Sequence, residues 1–221
     1  MKNIYVSDFT LRKLSEERQN TLLFREKIAI ASGVENFGAN AIELDEIRKP
    51  KEDSIVYKTI ASSIKSCKVC IPVGTTSAEL ERAWDCIKDA AHPCLQVHLP
   101  VSTVQMEYLY HMKEEKMLAA LTALVSEAHD KCNDVEFVAL DATRADMNFL
   151  TKACQAAKDA GAASVTLCDD AGTFLPDEFS SLVKEIKKIS DLNNLALLEE
   201  ISFRNNPKLM DHIGDLVSYK N

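Results

Sequence analysis

The sequence contains no run of about 18 apolar residues, the length an α-helix needs to cross a bilayer, so no membrane-spanning helix is expected. Its opening stretch, MKNIYVSDFTLRK, lacks the long apolar core of a secretory signal, and a cytoplasmic location is expected. Positive charge is not in excess: 26 Lys and Arg stand against 34 Asp and Glu, a formal net charge of -8. Nucleic acid and anionic membrane surfaces select for basic patches, so neither is expected as the main partner. Glycine and proline are scarce, six of each, and nothing reads as a linker or a low-complexity tract. A single domain over 1–221 is expected. No G-x-G-x-x-G phosphate loop occurs to support a generic open-sheet α/β binding protein.

What is present suits a globular protein with a core: 46% hydrophobic residues and a mean hydropathy of -0.13. The seven cysteines are Cys67, Cys70, Cys86, Cys94, Cys132, Cys154 and Cys168. An odd count without a targeting signal fits reduced thiols. Cys67 and Cys70 form a C-x-x-C, but no second C-x-x-C or His pair stands at zinc-ligand spacing. Two cysteines packing in a strand is the plainer reading.

Short apolar runs alternate with longer amphipathic stretches. The runs are 3–8, 40–45, 68–74, 94–100, 135–141, 163–169 and 195–202, and the helical patterns are 18–37, 53–66, 77–90, 113–132, 146–160, 176–189 and 207–219. This interleaving predicts repeated βα units on a parallel sheet. Thr76-Ser77 ahead of Glu79, and Pro176-Asp177-Glu178, read as helix starts. Gly33, Gly38 and Gly161 are expected near helix ends. Seven units fit either a (β/α) barrel one unit short of eight or an open doubly wound sheet, and both place sites at strand C-terminal ends.

Four segments favour the barrel. DFTLRK (8–13) is similar to a D-T-T-L-R-D-G opening, and NAIELDE (40–46) to a V-I-E strand. QVHLPVSTVQMEYLYHM, NDVEFVALDATRADMNFL and AGAASVTLCDDAG resemble H-x-F-x-A-T-S-x-x-H-M-E-Y, D-V-E-F-S-x-E-D-A-T/G-R-T-D-x-x-F-L and A-G-A-T-T-I-x-x-x-D-T-V-G. TFLPDEF (173–179) is like Y-x-x-P-E-E-F. Over about residues 3–190 the chain therefore resembles the superfamily of 2-isopropylmalate synthase, homocitrate synthase and HMG-CoA lyase, a pyruvate carboxyltransferase-like TIM-type (β/α) barrel.

The resemblance implies carbon–carbon bond formation or cleavage on a 2-oxo acid, with acetyl-CoA or another acyl-CoA as co-substrate and a divalent ion as Lewis acid. Arg12 matches the signature Arg, and Glu43 the Glu of the second strand; these two are expected to form an ion pair. The metal-binding Asp of the opening is replaced by Lys13, which reverses the sign of the charge. Leu140 stands where the family has Glu, Asp170 where it has the Thr of D-T-V-G, and Gln96 and Gln105 where it has His. The predicted seventh strand has Glu199 and Glu200 where an H-x-H would supply imidazoles. His92, His111, His129 and His212 have no visible partners at metal-ligand spacing.

No metal is therefore assigned. Arg12, Glu43 and Asp170 are the candidate catalytic residues. Lys13, Gln96, His98 and Thr143 are the candidates for binding substrate, with Lys13 as a fixed cation for an anionic ligand. A relative that keeps the scaffold and binds a small molecule or partner without catalysis is the alternative. Seven units leave sheet edges open, and self-association into a homo-oligomer is expected.

Overall fold

A computed structural model describes residues 5–16, 22–189 and 196–201. Strands and helices alternate as β1 (Ser7–Asp8), α1 (Thr10–Glu16), α2 (Phe24–Phe37), β2 (Ala41–Glu43), α3 (Pro50–Ser63), β3 (Lys68–Pro72), α4 (Ser77–Ile87), β4 (Pro93–Pro100), α5 (Thr103–Tyr108), α6 (Glu114–His129), β5 (Val135–Leu140), α7 (Met147–Asp159), β6 (Ser164–Asp169), α8 (Pro176–Ile189) and β7 (Ala196–Ile201). Strand order follows chain order. The residues form two compact units, one reaching to Val97 and adding Glu127–Val135, the other holding His98–Ser126 and the chain from Glu136.

In the first unit, β1, β2, β3 and the start of β4 pair in parallel, with registers Ser7↔Ala41, Ile42↔Val69 and Cys70↔Cys94. Val69, Cys70, Ile71 and Pro72 are all buried. Burial on both faces is what a parallel sheet covered by helices requires, and it explains an unbroken apolar run where a two-faced sheet would alternate. Helix α4 buries Leu80, Ala83, Cys86 and Ile87, one stripe at helical spacing. Its start is a reciprocal cap: the Thr76 hydroxyl accepts from the Glu79 N–H at 3.3 Å, and the Glu79 carboxylate accepts from the Thr75 and Thr76 N–H groups at 3.0 Å each. Gly74 allows that approach. It sits at φ 74°, and a Cβ there would stand 2.7 Å from the Glu79 Cβ.

In the second unit, β5, β6 and β7 pair in parallel, with Glu136↔Ser164 and Asp169↔Ile201 among the partners. All six residues of β6 are buried. Asp146 caps α7 by accepting from the Asn148 and Phe149 N–H groups at 2.9 and 3.1 Å, and the helix buries Phe149, Leu150, Ala153, Cys154 and Ala157.

Several expectations change. Residues 10–16 form a helix, α1, which follows a strand of only two residues. Seven residues are too few for a hydrophobic period to show, and the local signal is Asp8, whose carboxylate accepts from the N–H and hydroxyl of Thr10 at 3.0 and 3.1 Å. Helix α5 is likewise too short for a period. It is announced by Ser102, which accepts from the Gln105 N–H at 3.2 Å. Gly33 lies inside α2 instead of at its end, which is Gly38 at φ 89°. The helical pattern at 207–219, with His212, lies outside the described residues.

Candidate functional site

In both units the polar side chains of interest stand at the C-terminal ends of parallel strands, where open and closed α/β folds alike carry their chemistry. In the first unit, the two-residue β1 turns directly into α1, and this delivers Arg12 and Lys13 just beyond the strand end. The Arg12 guanidinium is buried and meets the Glu43 carboxylate at 2.9 Å. Glu43 closes β2, and its other oxygen accepts from the Ser7 hydroxyl at 2.7 Å. The guanidinium also lies 5.4 Å from the centre of the Phe9 ring, a cation–π distance. The expected ion pair is thus present, as a chain from a β1 hydroxyl through a β2 carboxylate to an α1 cation.

Lys13, the next residue of α1, is half-buried, and its backbone N–H donates to Phe9 at 3.0 Å. Asp45, buried just past β2, accepts from the Glu46 N–H at 2.8 Å and from Arg48 at 3.3 Å. Gln96 is buried on β4 opposite Pro72.

The second unit carries a denser network. Asp141, fully buried, follows β5 in the left-handed region at φ 58°. Its carboxylate is gripped at two points by Arg144, 2.7 Å each, and accepts from the Ser102 hydroxyl at 2.5 Å. The Asp141 hydrogen bond holds the Arg144 pKa above its ordinary value, against the opposing effect of burial. The Asp141 N–H donates to Asp170 at 2.8 Å. Asp169, buried at the end of β6, accepts from the Thr143 hydroxyl at 2.6 Å and from the N–H groups of Thr173 and Phe174 at 3.3 and 3.1 Å.

The structure therefore brings Arg12 and Glu43 into contact, sets Lys13 next to Arg12 on α1, and gathers Thr143 and Asp170 around Asp141 and Asp169. His98 is half-buried on β4. Glu199 and Glu200 lie on β7 opposite Leu167 and Cys168. Asp141, Asp169, Ser102 and Arg144 were not singled out from sequence. The available signal was that two predicted strands, 135–141 and 163–169, each end in Asp.

A family model described as HMGL-like matches residues 3–197. The 2-isopropylmalate synthase of Listeria innocua is 35% identical over 196 residues, covering 87% of this chain and 38% of the relative. That of Syntrophus aciditrophicus is 30% identical over 186 residues, covering 84% and 36%. The chain thus spans under two-fifths of the length of these relatives. Among solved structures, the HMG-CoA lyase of Bacillus subtilis superposes with a TM-score of 0.75 at 14% identity, covering 98% of this chain and 74% of the lyase. An HMG-CoA lyase in complex with coenzyme A and 3-methylmalate, from Acinetobacter baumannii, gives a TM-score of 0.66 at 16% identity, covering 87% and 65%. The parallel βα architecture is therefore the α/β, TIM-type fold of those lyases, here with seven strands among the described residues, and the chain belongs to the HMGL-like family.

Proposed function

We propose that this protein binds a 2-oxo acid and an acyl-CoA at the C-terminal ends of its strands, for carbon–carbon bond formation or cleavage by chemistry that no longer uses the family's divalent ion. Membership of the HMGL-like family, relatives named 2-isopropylmalate synthase and a lyase neighbour holding coenzyme A support the substrate class. One observation carries the departure from the family. A buried, already paired Arg12–Glu43 is followed in α1 by a cation, Lys13, where a carboxylate would grip a metal. An ammonium group repels a divalent ion, and Glu43 is engaged by Arg12 and Ser7. Asp141, Asp169 and Asp170 gather at the strand ends of the second unit, but among the described residues no choice of one oxygen from each puts all three within 4.8 Å of one another. The described residues around Arg12, Lys13 and Glu43 do not fit a divalent ion, so no step is assigned to one.

In this reading Lys13 holds the substrate carboxylate, and Arg12, kept in place by Glu43 and the Phe9 ring, stabilises oxygen charge. Gln96 is the further substrate-binding candidate of the first unit; in the second unit Asp170 is the proton-transfer candidate and His98 and Thr143 are the substrate-binding candidates. The second reading, a binding protein without turnover, is favoured by one feature: the Asp170 carboxylate already accepts from the Asp141 N–H. The homo-oligomer, the single-domain organisation and the cytoplasmic location belong to the same proposal. Among the described residues, no helix is long and apolar enough to cross a membrane.

Release of free coenzyme A thiol from acetyl-CoA, followed across a panel of 2-oxo acids with EDTA present, decides between the two readings. Turnover that falls in both Lys13→Ala and Arg12→Lys supports the enzyme. Saturable 2-oxo acid binding without thiol release supports the binding protein. Absence of both overturns the proposal.

A further inference from the structure

In the first unit, the loops that follow β2 and β3 enclose a cavity of about 160 Å³, none of whose lining residues is assigned to the 2-oxo acid. Glu46 and Ile47 line it from the loop between β2 and α3. Pro72 and Val73, both buried, line it from the end of β3, and Arg82 lines it from the second turn of α4. The turn between β3 and α4 is held in place by Glu79. Its carboxylate accepts from the Thr75 and Thr76 N–H groups at 3.0 Å each and from the Thr76 hydroxyl at 2.8 Å. These bonds, that of the Thr76 hydroxyl first, keep the Glu79 pKa below its ordinary value, and the Arg82 charge adds a smaller push the same way. The cavity wall is thus fixed by the protein's own bonds, as the walls of small-molecule sites usually are.

Charge and size together narrow the occupant. The Glu79 carboxylate is committed to the turn by three donors. One carboxylate, Glu46, and one guanidinium, Arg82, remain in the lining, both exposed to solvent. Among the described residues, neither of these two side chains makes a hydrogen bond or an ion pair. A metal ion is repelled by the guanidinium, and a phosphate by the carboxylates of Glu46 and Glu79. A ligand that carries one ammonium and one carboxylate meets a partner for each. The volume is about half the ~300 Å³ at which sites for drug-sized ligands begin, which leaves no room for a nucleotide or a coenzyme A. Ile47, Pro72 and Val73 add apolar surface, which favours an aliphatic group on the ligand.

We infer that this cavity binds one small zwitterion, an α-amino acid with a short aliphatic side chain. Arg82 takes its carboxylate, Glu46 takes its ammonium, and the side chain lies against Ile47, Pro72 and Val73. The inference is independent of the proposed 2-oxo acid site, because a 2-oxo acid lacks the ammonium that Glu46 selects.

The test is a ligand-observed NMR titration of the whole chain with L-valine and with L-leucine. Saturable binding of at least one is expected. Arg82→Gln and Glu46→Gln each weaken it by about tenfold, since each turns one charge-assisted contact into a neutral one. Isobutylamine and 3-methyl-2-oxobutanoate, the L-valine analogues that lack the carboxylate and the ammonium respectively, do not displace the amino acid. Lys13→Ala leaves amino acid binding unchanged, so the two sites stand or fail separately. Absence of saturable binding by the wild type overturns the inference. So does unweakened binding in Arg82→Gln or Glu46→Gln, or displacement of L-valine by isobutylamine. Should either variant fail to fold, Ile47→Trp, which fills the cavity, takes its place and must abolish binding; retention by it contradicts the site.

Discussion

The two units solve the problem of burying charge at strand ends in opposite ways. In the first, opposite charges from different elements cancel: Arg12 on α1 meets Glu43 on β2, and each is about nine-tenths shielded. In the second, three carboxylates crowd together with one arginine, and they are quieted mainly by hydroxyls and backbone N–H groups. That arginine, Arg144, is 43% exposed, while Asp141 is fully buried. An ion pair sealed from water is fragile to the loss of either member. A carboxylate nested among small donors degrades in steps as donors are lost. The first arrangement leaves the next residue of α1 to set the local charge, and this is where Lys13 acts.

The comparison predicts its largest effect at the sealed pair. Glu43→Ala strands the Arg12 guanidinium in a buried site and lowers unfolding free energy by about 3–5 kcal/mol, measured by urea denaturation. The double variant Arg12→Met with Glu43→Leu recovers most of that loss, because the charge burial disappears with the charges. Were Glu43→Ala to cost under about 1 kcal/mol, the pair would be behaving as an exposed one.

A smaller loss is expected in the second unit. Asp141→Asn keeps a side chain that tolerates φ 58° but gives up the charge that holds Arg144 and Ser102. Its cost is about 1.5–3 kcal/mol by the same denaturation assay, since the two Arg144 bonds and the Ser102 bond lose their charge assistance while Arg144 stays in reach of water. A cost matching that of Glu43→Ala would erase the distinction between the two units.

The smallest effect concerns pH and a third way of holding a carboxylate. Glu35 accepts from the N–H of Ser66 and of Lys65 at 2.7 Å each, and from the Ser66 hydroxyl at 2.8 Å. The Ser66 and then the Lys65 backbone bonds lower its pKa from the ordinary 4.5. A depressed folded pKa gives stability that is complete above the unfolded value and fades as pH falls through the folded one. The stability margin of the wild type over Glu35→Gln is therefore constant above about pH 5 and shrinks below it. A margin that grew on acidification would contradict the assignment.

Much of the fold was legible because it rests on repetition. Seven apolar runs and their intervening helices recur at the spacing of βα units, and the runs at 68–74, 94–100, 135–141 and 163–169 all became strands. Elements too short to display a period escaped: α1 and α5, each marked by one capping side chain, Asp8 or Ser102. The Arg12–Glu43 pair could be anticipated because both residues sit in recognisable motifs at strand ends. The Asp141 and Asp169 network could not, because its logic is a backbone turn into the left-handed region and donors drawn from three loops. Nothing in the spacing of Ser102, Asp141 and Arg144 announces that they meet.

The central claim is that the cation at position 13 has replaced the family's divalent ion. It is tested most directly by isothermal titration of a 2-oxo acid into wild type, Lys13→Ala and Lys13→Asp, each with EDTA and with magnesium or manganese. The account predicts that wild-type binding is indifferent to EDTA, and that Lys13→Ala and Lys13→Asp lose binding under both conditions, the second because one carboxylate without partner ligands does not hold a divalent ion. Wild-type binding that requires the divalent ion, with Lys13→Ala unaffected, would contradict it.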